Sequence, residues 1–150
     1  MIPRGGEGIR HLGIRIVADL IPKARDAYTT ADLGLTTALL DMVAQDYDRA
    51  VEVLVSDQNN IREIFVAALG SIVDQALADR MLATLEARAV SYRVTDQSDQ
   101  TDAAMRVLID LHAHVEDAEA RGEAWAAPFN RRIWTFLDAH VARRAYDSAF

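Results

Sequence analysis

From Thr29 to Leu69 the chain has no proline and, after Gly34, no glycine. Apolar residues recur through it at Leu33, Leu40, Val43, Tyr47, Ala50, Leu54, Ile61, Ile64 and Ala68, and Thr36 and Asp57 fill the two gaps. The steps alternate between three and four, a period near 3.5, which is that of a helix packed along a seam. The spacing predicts one long amphipathic helix, the spine of an all-α protein. About 40 residues at 1.5 Å each span roughly 60 Å, which suggests an elongated bundle or a dimer.

Thr29 and Asp32 stand at capping spacing before the apolar run, so the spine is expected to start near Thr29 or Thr30. Its weak point is Ser56-Asp57-Gln58-Asn59-Asn60, whose side chains compete with the helical backbone for hydrogen bonds. Asn60 and Glu63 form a second capping pair that would start a new helix. Phase argues for continuity, because the 3.5 spacing before Ser56 resumes at Ile61 with no residue gained or lost. Asp57, on a core-facing step, either sets register or oligomeric state or marks a kink.

Around the spine the expectation is a single domain over residues 1–150, an antiparallel bundle of about four main helices. Residues 1–8, with Pro3, Gly5, Gly6 and Gly8, read as a flexible arm, and 9–21 as a short helix or extended arm ended by Pro22. Gly70 suits a helix C-cap. Ser71, with Asp74 three residues on, then caps a helix that runs to about Tyr92 and carries Val73, Ala76, Leu77, Met81, Leu82, Leu85 and Ala89 on its apolar face. The polar stretch 95–100 reads as a loop. A third helix starts at Ser98 or Thr101, buries Ala104, Val107, Leu108, Leu111, Val115 and Ala118, and stops at Gly122. A fourth has Pro128 in its first turn and buries Phe129, Ile133, Trp134, Phe136 or Leu137, Val141 and Ala145.

Composition bounds the chemistry. There is no Cys, so disulfides, Cys-ligated zinc, iron–sulfur clusters and thiol nucleophiles are excluded. No run approaches the roughly 18 apolar residues of a membrane span, and the broken N-terminal segment is a poor signal peptide, so a cytoplasmic location is expected. A net charge of −7 opposes general nucleic-acid binding. The charge is uneven. Residues 1–25 carry five basic and two acidic side chains, net +3; residues 26–63 carry two and eight, net −6; Pro128 onward carries four Arg and two Asp, net +2. Basic ends and an acidic spine attract each other within one chain or between two. Arg132 and Arg143, eleven residues apart, share a helical face that suits a phosphate, a carboxylate or, preferably, the acidic spine of a neighbour.

The densest titratable cluster is Asp110, His112, His114, Glu116, Asp117 and Glu119. His112, Glu116 and Glu119 line one helical face, and with His140 as a fourth group they form a candidate divalent-metal site. The plainer reading is a boundary histidine hydrogen-bonded to Glu116 beside a solvated acidic face. No Glu stands three residues before any of these histidines, which opposes a ferritin-like di-iron centre. Asp41, Asp48 and Glu52 on the spine lack an identifiable acid–base partner. Phosphate-loop, dinucleotide, zinc-protease, serine-hydrolase and EF-hand motifs are all missing. The expected function is therefore a non-enzymatic helical assembly protein without a cofactor, a homodimer or a protein docked on a protein partner. The alternative is a metal or small-molecule site centred on His112, Glu116 and Glu119.

Overall fold

The computed structural model describes residues 4–147. It is all-α: 81% of it is helical, with no strand among the described residues. The helices are α1 (Gly5–Arg15), α2 (Ala27–Ala68), α3 (Gln75–Glu86), α4 (Val94–Ala120) and α5 (Ala126–Ala142). Among the described residues no helix is long and apolar enough to cross a membrane.

Length alone predicts one domain, but the contacts divide the described chain into two compact units. One takes residues 4–50 with 146–147; the other is Val51–Ala145. α2 supplies its first half to one and its second half to the other.

The spine is one helix of 42 residues. The 56–60 stretch does not break it, because its polar groups are satisfied by partners. Asn60 Nδ2 donates to the Ser56 carbonyl at 2.7 Å, and Asp57 and Gln58 are held by other helices of the second unit. The start differs from expectation by two residues. Asp26, not Thr29, caps the helix, accepting from the Thr29 backbone N–H at 2.8 Å and from Thr29 Oγ1 at 2.7 Å. Those two bonds hold the Asp26 carboxyl below its ordinary value of 3.8.

In the second unit, Ile61, Ile64, Phe65 and Ala68 of α2 pack with Leu77 and Met81 of α3, Ala104, Leu108, Leu111, Val115 and Ala118 of α4, and Ala126, Ile133 and Phe136 of α5. This is the four-helix core that the periodicity anticipates. Three local expectations are overturned. Asp74, not Ser71, caps α3, accepting from the Leu77 N–H at 3.1 Å. α3 ends at Glu86 rather than near Tyr92, because Ala87 turns to extended backbone. The polar stretch 95–100 is helical, since Gln97 and Thr101 are buried and Gln58 Nε2 donates to Gln97 Oε1 at 3.0 Å and to Thr101 Oγ1 at 3.1 Å. Val73, Trp134 and Val141, assigned to core faces, are exposed.

In the first unit α1 begins at Gly5, so residues 5–8 form the first turns of a helix rather than a flexible arm; residues 1–3 lie outside the described residues. The glycines serve close approach. A Cβ on Gly5 would meet the Tyr47 ring at 2.5 Å, and one on Gly6 would meet Asp48 Oδ1 at 2.8 Å. α1 then widens into a π turn at Ile16–Leu20 and tightens into a 3-10 turn at Ile21–Lys23, where Pro22 stops it.

Gly122 closes α4 with φ of 80°. The Glu123 N–H reaches the Ala118 carbonyl at 3.1 Å and the Gly122 N–H the Glu119 carbonyl at 2.9 Å, the paired bonds of a Schellman motif. Gly70 does not adopt a positive φ and has open space around it, so the C-cap expected there is not formed in the left-handed way. Gly122→Ala should therefore lower stability by about 1 kcal/mol, and Gly70→Ala should leave it nearly unchanged, as read by urea unfolding.

A lowered folded-state pKa contributes stability that is complete above the unfolded value and is lost as pH falls through the folded one. The Asp26 contribution should thus fade as pH drops below the ordinary carboxylate range. Asp26→Asn, which keeps an accepting oxygen, should remove that part of the slope in unfolding experiments across a pH series.

Candidate functional site

The residues expected to hold a metal divide between two places. His112 is half-buried on α4, and its Nε2 stands 2.8 Å from Asn130 Oδ1 of α5 and 3.6 Å from Glu116 Oε1. Asn130 Nδ2 donates onward to Glu119 Oε2 at 2.6 Å. An amide oxygen only accepts, so this network assigns the proton to His112 Nε2 and takes that nitrogen away from any metal. Trp134 packs edge-on against the imidazole, 5.3 Å between centroids at 80°. The result is a hydrogen-bonded chain, His112–Asn130–Glu119, that ties α4 to α5, with Glu116 alongside the imidazole. Asn130 has no signal in the sequence: it is one polar residue on a neighbouring helix.

His140, the suggested fourth group, belongs to a different cluster. Its Nδ1 lies 2.9 Å from Asp57 Oδ2. Among the described residues no three His, Asp or Glu side chains converge in a way that could hold a metal ion.

Asp57 is completely buried. Its Oδ1 accepts from Arg143 Nε at 3.1 Å and Nη2 at 2.5 Å, and its Oδ2 forms an ion pair with Arg144 Nη1 at 2.7 Å. The Arg143 guanidinium also lies 6.0 Å from the Phe136 ring centroid. With His140 in place, each oxygen of the carboxylate has two nitrogen neighbours. The cluster fastens the last turn of α5 and the two residues beyond it to the middle of α2. Asp57 does not interrupt the helix, and the acidic group that Arg143 meets is on its own chain rather than on a neighbour.

The first unit presents a different kind of site. Among its described residues Ala44 is the one hydrophobic side chain that is buried. Along one face of α2, Leu35, Leu39 and Val43 are 61%, 52% and 53% exposed, and Ile14 and Val17 after α1's midpoint are 61% and 48% exposed. Val43 and Tyr47, counted into the spine's apolar stripe, thus face outward here. Ile14, Val17 and Ala18 wall a cavity of about 360 Å³ against Thr37, with Arg10 and Asp41 at its polar edge. Arg10 also pairs with Asp48 at 3.3 Å. The Tyr146 hydroxyl donates to Asp46 at 2.7 Å, a bond that holds the phenol above its ordinary value.

Compared with protein-family models, curated proteins and solved structures, the chain finds no match.

The Asp57 cluster is asymmetric in burial: the carboxylate is fully buried, while the Arg143 and Arg144 side chains are 26% and 38% exposed. Removing both arginines strands a charge away from water; removing Asp57 leaves cations that reach solvent. Arg143→Ala with Arg144→Ala should cost about 3–5 kcal/mol, and Asp57→Ala distinctly less. Denaturant unfolding of the three proteins checks the order, and the reverse order would contradict this account of the clamp.

Proposed function

We propose that this chain is a non-enzymatic helical assembly protein that pairs with a second copy of itself through α1 and the first half of α2. The observation that carries it is the first unit's inability to cover its own apolar side chains. Two helices share one interface, and among the described residues of this unit that interface buries only Ala44 of the hydrophobic side chains while Leu35, Leu39, Val43, Ile14 and Val17 stay open. An unpartnered apolar row such as Leu35, Leu39 and Val43 marks an interaction site.

Charge favours a like partner. Residues 1–25 carry net +3, and residues 26–50 carry five Asp against Arg49, net −4. Among two-fold arrangements, the one that sets α1 of one copy against the acidic α2 of its partner pairs opposite charges. The assembly is read as cytoplasmic and without nucleic acid, in keeping with the net charge of −7.

Sedimentation of the full chain from micromolar to near-millimolar concentration tests this. The expected result is a dimer that dissociates on dilution. Leu39→Asp with Val43→Asp should yield a monomer whose helical circular dichroism is retained, since both side chains are outside the packed interior. A wild-type chain that is monomeric throughout would overturn self-assembly and leave a foreign protein as the occupant of this face.

A further inference from the structure

The second unit holds a cavity that neither the His112 chain nor the Asp57 clamp uses. It has a volume of about 390 Å³ and lies between α2 and the segment joining α3 to α4. Gln58, Asn59 and Arg62 line it from α2; Arg88, Ser91 and Tyr92 line it from the connecting segment. The size is that of an ordinary small-molecule pocket.

Its electrostatics are unlike the rest of the chain. Arg62 Nη2 and Arg88 Nη1 donate to the same acceptor, the Ala87 carbonyl, at 2.6 and 2.7 Å. Arg88 also donates to the Leu85 carbonyl at 2.6 Å. These bonds close the C-terminal end of α3, which explains why the two side chains are fixed. They do not explain the charge. Two guanidinium groups are drawn to one neutral oxygen, and among the described residues neither forms an ion pair, although the chain has 23 acidic against 16 basic side chains. No carboxylate lines the cavity; the Asp96 carboxylate accepts from the lining Ser91 Oγ and forms no ion pair with either arginine. Burial, and then the charge of Arg88, hold the Arg62 guanidinium below its ordinary value. Like charges held together in a partly enclosed site repel, and an anion between them relieves the repulsion.

The remaining lining suits an organic anion. The Asn59 amide adds a donor at the wall, and Tyr92, 81% exposed, offers an aromatic face at the mouth. Three oxygens on one phosphorus match two planar forks better than a single carboxylate does.

We infer that the cavity between α2 and the α3–α4 connection binds a small phosphate-bearing ligand, with Arg62 and Arg88 holding the phosphate and Tyr92 contacting any flat group attached to it. The local pair of cations, not the net charge of the chain, sets the field there, because exposed charges beyond about 10 Å are screened.

The test is calorimetric titration of the full chain with inorganic phosphate, a nucleoside monophosphate and the parent nucleoside. The phosphate-bearing probes should bind one per chain, and the nucleoside should not. Arg88→Gln should weaken them about tenfold or more, as expected for a lost charge-assisted contact. Arg106→Gln, an exposed arginine on α4 that does not line the cavity, should leave binding unchanged. Tyr92→Ala, which removes an exposed ring, should weaken the nucleoside monophosphate and spare inorganic phosphate if the natural ligand is an organic phosphate; equal affinity in both proteins points to free phosphate. If neither phosphate-bearing probe binds at millimolar concentration, or the nucleoside binds as tightly as its phosphate, the inference fails. Unchanged binding in folded Arg88→Gln would also overturn it.

Discussion

Two helices in contact have one interface between them, and one interface cannot hide apolar residues on the outward faces of both. That constraint governs the first unit. Gly5 and Gly6 let α1 lie close on Tyr47 and Asp48, but closeness does not create interior: Leu35, Leu39 and Val43 still face outward. The second unit meets the same requirement by numbers, since four helices around Phe65, Met81, Leu108 and Ile133 enclose a core from every side. Stability of a helix comes mostly from packing of its apolar face, and the half of α2 before Val51 has less of that packing within the chain than the half after it.

The second unit is notable for what it buries besides hydrocarbon. Asp57 and Gln58 are neighbours in the middle of α2, and both are inside. A buried polar side chain costs free energy unless its hydrogen bonds are met. Asp57 meets them with Arg143, Arg144 and His140, and Gln58 with Gln97 and Thr101. One pair thus ties α2 to the end of α5 and the other ties it to the start of α4. Apolar ridges slide past one another at modest cost, whereas these partners are reachable in one register only. A buried ion pair is weak evidence for stability; here it specifies which turn of α5 lies beside which turn of α2.

Much of this architecture was readable from periodicity. The spine is continuous because the apolar phase survives Ser56–Asn60, and the same reading identified Asp57 as the residue out of place. Its partners were not readable, since Arg143 and Arg144 lie more than eighty positions away and no local pattern links them. Local composition misled where tertiary bonds decide. The stretch 95–100 has the residues of a loop, but Gln97 and Thr101 are rewarded for being helical by Gln58. Gly5 and Gly6 look like a flexible arm until Tyr47 and Asp48 are seen to occupy the space their Cβ atoms would need. The helix-α4 cluster was legible as a cluster and not as a network, because Asn130, the residue that joins His112 to Glu119, is silent in sequence. The stripe of α2 was legible as apolar, but period alone does not say whether its partner is in the same chain.

The claim that a second copy covers α1 and the first half of α2 is tested most directly by amide hydrogen exchange of the full chain at a series of concentrations. A covering partner slows local opening only where it sits. Protection of residues 5–50 should rise with protein concentration while that of α3, α4 and α5 stays constant. Protection of residues 5–50 that does not change with concentration would contradict self-assembly through this face.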